Sequence, residues 1–174
     1  KSADAGATWT QLTVSPSTGA VDFSIDLVAV SPEDGDFVVI VADSFEVYRS
    51  TNGGASWASL GTVADTHALT TAANLYCVDI SGETPDGITY IAVGGKTASA
   101  ADLWYFNYGG TPNQWVDATQ TRTIAPKWDN TKFNAADAVR AVKFSPAFAD
   151  IDDTLVAVTG PDTSDGTEDV MFQL

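Results

Sequence analysis

A chain of 174 residues with 44% hydrophobic and 18% charged residues has the composition of a globular protein, and no apolar run approaches a membrane-spanning length. Its 23 acidic residues against eight Lys and Arg leave a net charge of −15, which repels phosphate backbones and anionic lipid. Nucleic acid and membrane insertion are therefore set aside as partners, a single cysteine (Cys77) excludes an internal disulfide framework, and a single histidine (His67) excludes a multi-histidine zinc site.

The chain opens on turn chemistry, Lys1-Ser2-Ala3-Asp4-Ala5-Gly6, with no charged-then-apolar leader, and reads as a mature or excised piece of something longer. Strands are then expected from Asp26 to Ser31, Phe37 to Ala42, Phe45 to Ser50 and Trp57 to Leu60, with turns at Pro32 to Asp36 and at Asp43-Ser44. A second set follows at Leu75 to Ile80, Ile88 to Gly94, Leu103 to Asn107 and Trp115 to Thr119. Cys77 falls in the first of these and reads as a buried structural thiol. The last set is Val139 to Ser145, Thr154 to Gly160 and Asp169 to Leu174. No segment sustains a 3.6-residue apolar period; Asn134 to Val139 allows one helical turn at most. The fold class is all-β.

Two markers recur in one register. Ser2-Ala3-Asp4-Ala5-Gly6-Ala7-Thr8-Trp9 returns as Ser50-Thr51-Asn52-Gly53-Gly54-Ala55-Ser56-Trp57, and more loosely as the run Phe106 to Trp115, which carries Asn107, Gly109 and Trp115. The three tryptophans lie 48 and 58 residues apart, a period suited to four-stranded units with loop insertions. In phase with them, Leu27-Val28-Ala29-Val30-Ser31-Pro32 is matched by Val139 to Pro146, and Leu75 to Ser81 holds the same place in the middle repeat.

The motif Ser-x-Asp-x-Gly-x-Thr-Trp resembles the Asp box, or bacterial neuraminidase repeat, of sialidase-like, sortilin-like and related secreted propellers. Ser2, Asp4, Gly6, Thr8 and Trp9 match it throughout. The second copy keeps Gly54 and Trp57 but carries Asn52 for the acid and Ser56 for the threonine, and the third has lost most of its polar pattern. The resemblance implies consecutive four-stranded antiparallel blades of a β-propeller, about three of them, belonging to a larger ring. The whole chain, 1–174, is then one propeller section: 1–12 ends one blade, 26–60 and 75–119 are further blades, and 139–174 is an incomplete one. In such a turn the acid or amide accepts backbone N–H groups, glycine permits positive φ, hydroxyls brace the loop, and tryptophan fills space between sheets. These roles are structural, and Asn52 shows that charge is not required for them.

Residues with chemical potential are scattered. Arg49, Arg122 and Arg140 equal in number a sialidase arginine triad but lack its surrounding motifs. Asp26, Asp79 and Asp137 lie near first strands, where paired carboxylates of a glycosidase would stand. Asp162, Asp165, Glu168 and Asp169, with Asp150, Asp152 and Asp153 nearby, offer oxygen ligands suited to calcium without EF-hand spacing; no other cofactor is expected. Trp104, Tyr105, Tyr108 and Trp128 have faces suited to sugar rings, although packing between blades is their main reading. The insertions Gly61 to Asn74 and Gln120 to Asp137 hold Thr, Ala and Asn, which suits protein contacts better than catalysis. The expectation is a noncatalytic extracellular or cell-surface structural and interaction module. Its partners would be the remaining blades of its parent protein or identical copies, with other surface proteins or glycans. The alternative is part of a carbohydrate-active propeller, a glycoside hydrolase or glycan-binding protein, with its key residues elsewhere.

Overall fold

A computed structural model describes residues 1–13, 24–63, 74–97, 101–111, 113–118, 137–148, 154–161 and 169–173, and these contain eleven strands and no helix. The first sheet is an antiparallel meander of β1 (Ile25–Val30), β2 (Phe37–Ala42), β3 (Glu46–Thr51) and β4 (Ala58–Thr62). The second repeats that order with β5 (Asn74–Glu83), β6 (Thr89–Lys96), β7 (Ala101–Tyr108) and β8 (Trp115–Asp117). A third sheet, ordered β11-β10-β9, is built from β9 (Asp137–Phe144), β10 (Leu155–Pro161) and β11 (Asp169–Gln173). Each expected strand is present, with ends displaced by a few residues. One expectation is corrected. Asp137, Ala138 and Val139, the described end of the Asn134 to Val139 run, are strand and not a helical turn, because they pair with Pro161, Gly160 and Thr159.

Local chemistry explains the turns. Asp43 and Ser44 join β2 to β3 at φ 49° and 70°, the pair of positive values that a tight hairpin needs to match strand twist. Asp26 Oδ2 accepts the Ser44 N–H at 2.7 Å, and Asp43 Oδ1 accepts that of Ser24 at 3.0 Å, so acids on the flanking segments hold the hairpin. After β1, Ser31 Oγ accepts the N–H groups of Glu33 and Asp34; after β9, Ser145 Oγ accepts that of Ala147. The Ser-Pro marker thus ends a first strand in the same way in two sheets.

Strand periodicity decides which face each side chain takes. From the middle sheet, Leu75, Ile80, Ile91, Val93, Trp104, Phe106 and Trp115 pack with Phe37, Val39, Val41 and Val47 of the first sheet. From its other face, Cys77, Ala92, Ala101 and Leu103 pack with Val139, Val142, Phe144, Leu155 and Ala157 of the third. The middle sheet is buried on both sides. That is why β6 reads as an unbroken apolar run, Tyr-Ile-Ala-Val, with no polar alternation. Removing a side chain such as Val39 or Ile91 from water stabilises the fold by about 1.5–3 kcal/mol.

Close approach depends on Gly94. A Cβ there would lie 2.3 Å from Val139 Cγ1 and 2.8 Å from Cys77 Sγ. Any side chain at Gly94 would push β9 away from the middle sheet. Asp79 fastens the same junction: Oδ1 accepts Lys143 Nζ at 2.6 Å and Oδ2 accepts the Phe144 N–H at 2.8 Å.

Candidate functional site

The Ser2 and Ser50 turns are closed by matching sets of hydrogen bonds. Ser2 Oγ accepts the N–H groups of Asp4 (3.3 Å) and Gly6 (2.8 Å) and donates to Asp4 Oδ1 at 2.8 Å. Asp4 Oδ1 accepts the Thr8 N–H at 2.8 Å, and Oδ2 accepts the Thr8 hydroxyl at 2.6 Å. In the second turn Ser50 Oγ accepts from Asn52 N (3.2 Å) and Gly54 N (2.8 Å) and donates to Asn52 Oδ1 at 2.8 Å. Asn52 Oδ1 in turn accepts the Ser56 N–H at 2.9 Å. The last bond reverses direction: Asn52 Nδ2 donates to Ser56 Oγ at 2.8 Å, because an amide has a donor where a carboxylate has none. Gly6 and Gly54 sit at φ 90° and 89°, as the tight loop requires. The three donors around the Asp4 carboxylate, the Thr8 hydroxyl foremost, lower its pKa from 3.8 to about 2.

The flanking backbone repeats as well. Lys1 and Thr10 exchange two hydrogen bonds of 2.7 and 2.8 Å, and 48 residues later Arg49 pairs with Ala58 across β3 and β4. The third turn closes its backbone as the other two do, Gly110 N on Asn107 O at 3.2 Å where Ala7 N meets Asp4 O at 3.2 Å and Ala55 N meets Asn52 O at 3.3 Å, with Gly109 at φ 88°; its side chains differ, because the Asn107 side-chain oxygen is buried without a hydrogen-bond partner. Two residues before Asn107 stands Tyr105, where the other turns have Ser2 and Ser50, so the serine hydroxyl that braces them is absent.

The tryptophans grade from surface to core. Trp9 is 76% exposed and donates its indole N–H back to Gly6 O at 3.1 Å. Trp57 is half-buried against Ile40, Ala42 and Tyr48. Trp115 is 5% exposed and donates instead to Leu60 O on β4, at 3.1 Å, tying the second sheet to the outer strand of the first.

Two of the three acids near first strands have structural partners. Asp26 holds the β2–β3 hairpin, Asp79 clamps the third sheet, and Asp137 is buried at the start of β9. Arg49 stacks over the Tyr108 ring at 4.5 Å and Arg140 over Tyr76 at 4.3 Å, each reaching to a neighbouring sheet. Arg122, Trp128, Asp162, Asp165 and Glu168 lie outside the described residues, as do Asp150, Asp152 and Asp153; Asp169 begins β11. Among the described residues no cluster of three or more His, Cys, Asp or Glu side chains could hold a metal ion. Trp104 is fully buried and cannot stack on a sugar. Tyr105 leans on Tyr90 with ring centroids 6.3 Å apart, and burial raises its phenol pKa.

A groove of about 470 Å³ opens where β4 meets β7 and β8. Tyr108 with Arg49 and the edge of Trp115 give it aromatic surface, and Ser59, Thr62, Asn113 and Gln114 give it hydroxyls and amides. In a chain of net charge −15 its lining holds one cation and no acid, and also no thiol or imidazole. It can hydrogen-bond, but it contains no acid–base pair. Sequence reasoning singled out Tyr108 but missed its partnership with Arg49; the signal was an arginine placed directly before the Ser50 turn. No protein-family model matches the chain, and a search of curated proteins returns no match.

Proposed function

We propose that the chain is a noncatalytic structural and interaction module whose sheets are successive Asp-box blades of a β-propeller, working at a cell surface or outside the cell. The observation that carries the reading is the pair of like-bonded turns at Ser2 and Ser50, set in register with meander sheets that pack face to face. Support also comes from the acids and arginines that would serve a glycosidase, since Asp26 and Asp79 are engaged in turns and clamps and Arg49 and Arg140 stack on separate rings. Incubation of the chain with a panel of aryl glycosides and sialosides should give no turnover. Hydrolysis that disappears in Asp79→Asn or Asp26→Asn would overturn this reading.

The groove beside Tyr108 favours a second reading as a weak glycan binder, because the Arg49 guanidinium held over Tyr108 and the surrounding hydroxyl and amide groups suit a polyhydroxylated ligand. A glycan array would then give signals that fall in Tyr108→Ala; an array blank for the wild type removes this reading.

A further inference from the structure

The groove between β4 and the β7–β8 pair holds a cation that no acid neutralises. The chain carries 23 acids against eight Lys and Arg, yet none of those acids lines this groove. Elsewhere Lys1 is paired with Asp36 at 3.3 Å and Lys143 with Asp79 at 2.6 Å. Arg49 has neither an ion pair nor a side-chain hydrogen bond among the described residues; its guanidinium lies 4.5 Å over the Tyr108 ring. Glu46 stands three positions earlier on β3 and so on the opposite face, where it accepts the Tyr48 hydroxyl.

The cation is fixed by its surroundings. β3 turns Val47 and Arg49 to the face that meets the middle sheet, with Val47 in the shared core. The Tyr108 ring is propped by Phe37, with centroids 5.1 Å apart, and the Trp115 indole N–H on Leu60 O at 3.1 Å holds β8 against β4. A ring face engages only the face of a guanidinium, so the in-plane N–H fork stays open to a planar acceptor. A cation already held in place loses little side-chain freedom on binding.

We propose that the groove selects a sugar that bears a carboxylate, of the hexuronate kind, with the Arg49 fork on the carboxylate and Asn113 and Gln114 on ring hydroxyls. The inference rests on the glycan reading given under Proposed function and adds the charge of the ligand to it. A carboxylate is planar and matches the fork with two parallel N–H···O bonds. It carries a single negative charge, whereas a phosphate monoester carries more and meets proportionally more repulsion from a chain of net charge −15. The groove volume of about 470 Å³ lies within the range of small-ligand sites.

Titration of the 174-residue chain with sodium D-glucuronate, D-glucose and sodium acetate, followed through the Arg49 Nε–H and Trp115 indole resonances, tests this. Glucuronate should shift both signals saturably and bind about tenfold more tightly than glucose, the worth of one charge-assisted contact. Acetate has the carboxylate without the ring and should bind more weakly than glucuronate. Arg49→Gln should bring glucuronate down to the level of glucose, and Arg49→Lys should recover only part, since it keeps the charge and loses the fork. Gln114→Glu is isosteric and lies at an exposed position, so it decides the matter even where an Arg49 variant disturbs the fold. It should weaken glucuronate about tenfold while glucose changes far less. Equal affinities for glucose and glucuronate overturn the inference and leave the glycan reading standing; no shift with either removes both. Acetate bound as tightly as glucuronate also overturns it, because the groove would then be a bare anion site.

Discussion

At the scale of single residues, polar side chains in this protein work mainly on its own backbone. Asp4 and Asn52 occupy one position with different chemistry, and only Asp4 can titrate. Its carboxyl is held at about 2 against 3.8 in the free group, so it contributes stability above pH 3.8 that is lost as pH falls toward 2. Asp4→Asn should keep the turn, with the amide donating to Thr8 as Asn52 donates to Ser56, and should remove that acid sensitivity. Amide chemical shifts of Gly6 and Thr8 followed from neutral pH to pH 2 test this. They should move in the wild type and stay put in the variant. Asp79 is a different case. Lys143 is 77% exposed at its side chain, so solvent screens the ion pair and leaves it little value. The N–H of Phe144 is buried, and Asp79→Ala strands it, at a cost of about 1–3 kcal/mol. Lys143→Ala should cost much less. Chemical denaturation of the two variants checks the order. Cys77, whose thiol burial pushes up to about 12, should resist a disulfide reagent in the folded protein and react once it is unfolded.

At the scale of elements, the junction of β5, β6 and β9 is closely packed. Gly94→Ala would set a methyl group 2.3 Å from Val139 Cγ1, a backbone-supported clash that should cost about 1–3 kcal/mol. Val139→Ala removes the 2.3 Å contact but leaves the methyl 2.8 Å from Cys77 Sγ and 2.9 Å from the residue-139 Cβ, so the double variant should recover part of the loss and be more stable than the two single losses added together predict; simple additivity in denaturant midpoints would refute the contact. Strand positions were legible in the sequence because β-branched runs such as Phe37 to Ala42 stood between Gly-, Pro- and Asp-rich turns. The bracing of the Ser2 turn was legible too, since Ser, Asp and Thr at that spacing have few other uses. What could not be read was long-range. The bulges at Leu75/Cys77 and Ile80/Glu83, the extension of β5 to Glu83, and the stacking of Arg49 on Tyr108 depend on which sheet lies alongside. Nor did pattern reveal that Asn107 leaves its side-chain oxygen uncapped.

At the scale of the whole molecule, the described residues form an all-β stack in which the middle sheet gives one face to each neighbour. Its cores are aromatic and β-branched on the first side, and small residues meeting large ones on the second. This arrangement explains why the strands are mainly apolar, although Asp79, Asp102, Asp117 and Asp137 are buried in them. It also explains why turns, and not strands, carry the recurring polar motif. The measurement that bears most directly on it is a nuclear Overhauser spectrum of the folded chain. The Trp115 indole N–H should show cross-peaks to Leu60 of β4, and the Cys77 β-protons should show cross-peaks to Val139 of β9. Cross-peaks from both residues to one and the same neighbouring sheet, or from neither to these partners, would contradict a middle sheet packed on two sides.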